Sequence, residues 1–144
     1  MELTQAIKGR RSIRKFTKQE VPKNVIMEIM DEARWAPSWG NTQPWNFYVL
    51  TGKTLGKFKE MNLAQTVAGA PITPDVPMLE KWPEAMKARY NEVGKMVLDA
   101  QGIKRGDKAL RDKYYQDMVM MFDAPCLILA CIARDNLVEY QMLD

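Results

Sequence analysis

Apolar residues recur at helical spacing along most of the chain and leave that spacing in only two short runs, the pattern of helices around a small sheet. Leu3 to Lys8 reads as a short helix. Pro22 suits the first turn of a second helix reaching about Ala36, with Val25, Ile26, Ile29, Met30 and Ala33 as its apolar face; Pro37 and Gly40 then end it. Trp45 to Thr51 is aromatic and branched, which favours a strand closed by Thr51-Gly52. A helix from about Lys53 to Leu63 is predicted next, with Leu55, Phe58 and Met61 inward. Pro71, Pro74, Pro77 and Pro83 make residues 69–83 a loop, and Pro83 opens a helix to about Ala100. Met86, Tyr90, Val93, Val97 and Ala100 give that helix a clean stripe. Gly102 to Gly106 is a turn, and Asp107 can cap a further helix that ends near Phe122. Cys126 to Ala133 is continuously apolar between Pro125 and Arg134, which predicts a strand buried on both faces. Asn136 with Glu139 predicts one more helix start.

Only two strands come out of this reading, about 75 residues apart, and two strands alone make a marginal sheet. A buried strand needs neighbours, so either a partner chain supplies them or the polypeptide continues; the second is the simpler expectation. Composition places the chain among globular proteins, with 47% hydrophobic and 27% charged residues, and excludes wholesale disorder. No apolar run approaches the ~18 residues that span a membrane, and Met1-Glu2-Leu3-Thr4 lacks a signal pattern, so a cytoplasmic location is expected. The absence of histidine excludes Ser-His-Asp and Cys-His catalysis and histidine metal sites, which directs difficult chemistry to a cofactor. Cys126 and Cys131 have neither zinc nor redox-pair spacing; they read as small buried hydrophobes, and no metal site is expected.

A formal charge of +3 argues for neither nucleic acid nor membrane as a partner. Its distribution says more. Lys8, Arg10, Arg11, Arg14, Lys15 and Lys18 fall together with no acidic residue among them. In Arg10-Arg11-Ser12-Ile13-Arg14-Lys15-Phe16 the arginines present forks of donors that match phosphate oxygens, and a serine hydroxyl adds another. In an extended or turn segment Arg10, Ser12 and Arg14 can converge on one anion, with Ile13 and Phe16 anchoring the segment to the core. A solvated basic loop and a small nucleic-acid patch remain open as other readings of the same residues. A second constellation is Ala36-Pro37-Ser38-Trp39-Gly40-Asn41-Thr42-Gln43-Pro44-Trp45. Pro44 pushes Gln43 toward an extended backbone. The amides of Asn41 and Gln43 can read alternating donors and acceptors on a heterocycle edge, and Trp39 and Trp45 can pack on rings. A Pro-bounded connection with core tryptophans is the plainer alternative.

Together, "RRSIRKF" and, two dozen residues later, "APSWGNTQPW" resemble the nitroreductase family of FMN-dependent oxidoreductases, strongly over residues 3–51 and in general layout beyond. The apolar run after "FDAP" resembles a later family element. The resemblance implies an α+β fold, a three-layer α-β-α sandwich whose mixed, mainly antiparallel sheet is flanked by helices and completed as a homodimer. It implies that residues 1–144 form a single nitroreductase-like domain lacking its C-terminal part. By position, it implies that Arg10, Arg11 and Ser12 hold the FMN phosphate and ribityl chain and that Arg14 reaches the ribityl and pyrimidine side. It further implies that Pro37, Ser38, Trp39 and Asn41, with Gln43 in or behind the same loop, approach the flavin bound mainly by the other subunit.

The function implied is ping-pong electron transfer from NAD(P)H (NAD or NADP form) through the flavin to nitroaromatic, quinone or similar small-molecule acceptors, with no protein nucleophile or base. Tyr90, Tyr114, Tyr115 and Phe122 either shape the acceptor pocket or pack helices. Flavin-dependent dehalogenation, a flavin-modifying activity, and a non-catalytic FMN- or anion-binding module stand as alternatives, as does a cofactor-free interaction protein.

Overall fold

The structure is a computed structural model that describes residues 2–134. Its helices are α1 (Leu3–Gly9), α2 (Lys23–Ala33), α3 (Gly52–Val67), α4 (Glu84–Ala100) and α5 (Lys108–Val119); its strands are β1 (Trp45–Thr51) and β2 (Cys126–Ile132). Short 3₁₀ turns lie at Trp39–Asn41 and Met121–Asp123. The two strands pair antiparallel, from Trp45 opposite Ile132 to Thr51 opposite Cys126. This is the α+β arrangement expected, with a sheet of two strands among the described residues. The predicted helix start at Asn136 lies outside the described residues.

Helix ends follow local chemistry closely. Asp107 caps α5, its Oδ1 accepting the Leu110 amide at 3.1 Å. After α4, Gly102 takes φ 71°. Its amide donates to Asp99 O and the Ile103 amide to Leu98 O, both at 2.9 Å. That is a Schellman ending, sealed by Ile103, which is 6% exposed. The same device stops α3: Gly69 donates to Thr66 O at 3.1 Å and Ala70 to Gln65 O at 3.0 Å. This corrects the expected stop near Leu63. Ala64 to Val67 carry nothing that breaks a helix, so α3 runs on until a glycine can adopt the left-handed turn.

The core is small. Ile26, Leu55, Ile103 and Ala124 are its buried apolar residues among those described, and α3 packs across β1, β2 and α5. Four expectations fail here for one reason, that the described chain does not cover them. Met61 on α3 points outward. Met86, Tyr90 and Val93 leave the α4 stripe exposed. β2 is half-buried with Ala130 and Cys131 exposed, so neither the strand nor that cysteine is buried, and Cys126 is only half-buried. Ile13 and Phe16 are exposed rather than sunk into the core. The chain presents 12,693 Å² to solvent, where a compact monomer of 16.6 kDa presents about 7,600 Å². No described helix is long and apolar enough to cross a membrane.

Candidate functional site

The basic segment between α1 and α2 has no regular structure, which leaves its side chains free to turn toward one face. Ser12, Ile13, Arg14, Lys15 and Phe16 form one wall of an open cavity of about 910 Å³. The rest of the lining comes from Val97, Ala100 and Gln101 at the end of α4, Tyr114 and Asp117 on α5, and Met120, Phe122 and Asp123 beyond it. The volume is within the range of small-molecule and cofactor sites, roughly 300–1,000 Å³.

Charge in this cavity is one-sided. Of the two carboxylates on its wall, Asp117 receives Lys113 Nζ at 3.1 Å and Asp123 receives Lys59 Nζ at 3.2 Å. Arg14 and Lys15 have no acidic partner among the described residues, so the net field favours an anion. Aromatic surface shares the lining with these cations: the Tyr114 and Phe122 rings pack with centroids 5.7 Å apart. A lining that joins cations and a hydroxyl with rings suits a ligand that is both anionic and aromatic.

The first constellation is partly gathered. Ser12 and Arg14 line the cavity, and Arg10 Nη1 lies 3.5 Å from Ser12 Oγ, so the alternation expected of an extended segment does bring Arg10 beside Ser12. Arg11 turns the other way, donating to Lys8 O at 2.7 Å and Arg10 O at 2.9 Å, where it caps the carbonyls that end α1. Lys15, Asp117 and Gln101 were not expected as lining residues. Lys15 sits in the same basic run, and Asp117 lies three residues after Tyr114, hence on the same helix face, so both signals were present in the sequence.

The second constellation forms a tight loop of its own. Pro37, Ser38, Trp39, Asn41 and Gln43 do not line the cavity beside Ser12 and Arg14. Ser38 Oγ accepts the Gln43 amide at 3.0 Å, and Gln43 Nε2 donates to Asn41 Oδ1 at 3.1 Å. Gly40, Asn41 and Gln43 have φ of 56°, 57° and 46°. Gln43 is therefore left-handed, not extended as Pro44 led one to expect; the Ser38 and Asn41 hydrogen bonds override the local preference. Trp35 and Trp39 project from this region at 79% and 65% exposure, and Trp45 is half-buried at the start of β1, so the tryptophans are not a buried core cluster.

Tyr115 is exposed and packs edge-on against Tyr114. Tyr90 is exposed and stacks on Trp82 of the Pro-rich loop, with centroids 6.1 Å apart. Neither lines the cavity. Among the described residues no group of three or more Cys, Asp or Glu could hold a metal ion.

Comparison with known proteins bears on this site. A model of the nitroreductase family matches residues 7–142. A chloronitrobenzene nitroreductase of Comamonas testosteroni is 34% identical over 131 residues, 89% of this chain and 57% of that protein. A nitrobenzene nitroreductase of Ectopseudomonas oleovorans is 33% identical over 130 residues, again 89% of this chain and 57% of that protein. The chain thus spans just over half the length of these relatives. The crystal structure of an FMN-dependent nitroreductase from Mycobacterium smegmatis in complex with NADPH superposes with a TM-score of 0.88 at 26% identity, covering 96% of this chain and 63% of that one.

Proposed function

The chain belongs to the nitroreductase family, and from that premise we propose that the protein is an FMN-dependent oxidoreductase that passes electrons from NAD(P)H to nitroaromatic, quinone or similar acceptors. The observation that carries the proposal is the cavity lined together by the uncompensated cations Arg14 and Lys15 and the Tyr114–Phe122 pair. The relatives' activities, nitrobenzene and chloronitrobenzene reduction, and the FMN and NADPH of the M. smegmatis enzyme support the choice of cofactor, donor and acceptor class.

FMN, when bound, supplies hydride acceptance and onward electron transfer. The chain's own residues hold and polarise it. Ser12 and Arg10, adjacent in space, would donate to the phosphate and ribityl oxygens, and Arg11 would join them once its side chain left the α1 carbonyls. Arg14, which lines the cavity, would supply the positive charge that stabilises the reduced, more negative form of the flavin. Tyr114 and Phe122 keep water from one side of the cavity and offer rings against which a donor or acceptor can lie. With FMN bound, this open cavity would be the space that donor and acceptor take in turn, the ping-pong order.

The site is shared between two copies in this reading. The uncovered apolar surface supports it: Trp35, Met27 and Ile29 of α2 and its end are exposed, as are Met86, Tyr90 and Val93 of α4. A second copy would cover these faces and bring Pro37, Ser38, Trp39, Asn41 and Gln43 of its second loop to the first copy's flavin. Isolated strand edges and exposed aromatic patches of this extent otherwise favour aggregation.

The test is the visible spectrum of the purified full-length protein before and after anaerobic NADPH or NADH. Flavin absorption that bleaches with the nucleotide and returns with nitrobenzene is the expected result. A protein that stays colourless after incubation with FMN would overturn the proposal.

A further inference from the structure

The cavity wall that faces the basic segment stands on an unusual piece of backbone. Met121, Phe122 and Asp123 are left-handed in succession, with φ of 53°, 49° and 60°. None is glycine, and bulky L-residues resist this region because Cβ crowds the following carbonyl. Such a conformation persists only where its surroundings over-determine it. The turn's own backbone bonds, Asp123 N to Met120 O at 3.2 Å and Ala124 N to Met121 O at 3.0 Å, are ones a right-handed turn could make as well.

The surroundings that select it come from α3. Lys59 is 7% exposed, the one buried charged residue among those described. Its Nζ donates to Ala124 O at 2.7 Å and to Asp123 Oδ1 at 3.2 Å. One turn further on, Asn62 Nδ2 donates to Val119 O at 2.6 Å. Lys59 and Asn62 lie three residues apart, on the same helix face. They grip the two ends of one segment, the last carbonyl of α5 and the first residues before β2, with the left-handed turn between. A lysine is retained in a packed face only where its charge is compensated. Here the carbonyl it satisfies belongs to buried Ala124 and the carboxylate to a cavity residue.

We propose that Lys59, assisted by Asn62, is a positioning residue that holds the Met121–Asp123 turn in its left-handed form and thereby sets the shape of the Phe122–Asp123 wall met by an aromatic acceptor. This rests on the reading of the cavity as the redox site. Lys59 touches neither cofactor nor acceptor; it acts through the backbone it restrains. The side chain also neutralises Asp123, which keeps that carboxylate from cancelling Arg14 and Lys15 across the cavity.

The experiment uses the FMN-loaded full-length protein and its Lys59→Met and Lys59→Arg variants, each first shown to be folded by its thermal transition. Amide exchange of the peptide over residues 118–126 reads the turn itself. In Lys59→Met exchange there rises by roughly tenfold or more while α2 is unaffected, and Lys59→Arg restores protection. Steady-state kinetics with nitrobenzene and a nitronaphthalene read the consequence. The ratio of their kcat/KM values moves by about fivefold or more in Lys59→Met, chiefly through KM, while FMN affinity stays within about twofold. Should Lys59→Met fail to fold, Asn62→Ala loosens the other grip and carries both readouts. Unchanged exchange in a folded variant overturns the proposal, as does a loosened turn with an unchanged acceptor ratio, which would leave Lys59 a stabilising residue only. A parent protein that takes up no FMN would defeat the functional reading instead, while amide exchange would still decide whether Lys59 holds the turn.

Discussion

Arg10→Ala tests the proposed assignment of Arg10 to the FMN phosphate. Arg10 is exposed, and its side chain makes one long contact, 3.5 Å to Ser12 Oγ, with no carboxylate partner among the described residues. Its donors are therefore available to a ligand, and removing them disturbs no ion pair. A hydrogen bond to a charged group contributes about 1.5–3 kcal/mol, and solvent exposure places this one near the lower end, so the FMN dissociation constant should rise about 13-fold. Riboflavin lacks the phosphate, and its affinity should change by less than about twofold, since a neutral ribityl hydroxyl gains less from the guanidinium. The difference should shrink as salt rises, because the Debye length falls from ~10 Å at 0.1 M to ~3 Å at 1 M. Titration of apoprotein with each flavin, followed by fluorescence quenching, gives both constants. An unchanged FMN affinity refutes the assignment of Arg10 to the phosphate. An equal loss for FMN and riboflavin refutes it too, pointing instead to a collapsed segment.

Three further outcomes follow from the same structure. Leu55→Ala should destabilise the fold by about 2–3 kcal/mol, the lower part of the range for a buried leucine because the surrounding core is small; Leu55 is 3% exposed, and urea unfolding measures the change. Asp107→Ala should cost about 1 kcal/mol by removing the cap on the Leu110 amide, read as a lowered thermal midpoint, whereas Asp107→Asn should lose only a few tenths. On the proposed shared site the protein should sediment at twice the chain mass, and Trp35→Glu, placing a charge on a residue that is 79% exposed in the single chain, should shift it to monomer and release FMN together; a monomeric parent that retains FMN would refute the shared site.

Much of the local structure was legible from residue type alone. Both strands, the Asp107 cap, the Pro-rich loop and the unstructured basic segment answer to preferences that act over a few residues: β-branched content, a side-chain acceptor at a helix start, the lack of an amide proton in proline. The basic part of the cavity lining was legible for the same reason, since Ser12 and Arg14 are close in sequence as well as in space, with Arg10 beside Ser12. What misled was periodicity taken as burial. The stripes of α4 and β2 are apolar, yet an apolar face is covered only if another element lies against it, and here much of that face meets solvent.

Tertiary structure alone decided the other half of the site. That Tyr114 and Phe122, some 100 residues from Ser12, complete its cavity depends on where α5 lies against α3, a contact no local preference encodes. The left-handed turn at Met121–Asp123 runs against the local preference of Met121 and Phe122. The inward lysine that grips it reads in sequence as an ordinary solvent-facing charge on α3. Sequence thus determined the elements and one charged wall, because those are set by neighbours a few residues apart. The fold decided burial, the opposing wall and the strained turn, because each is a balance between local cost and contacts made across some 60 residues of chain.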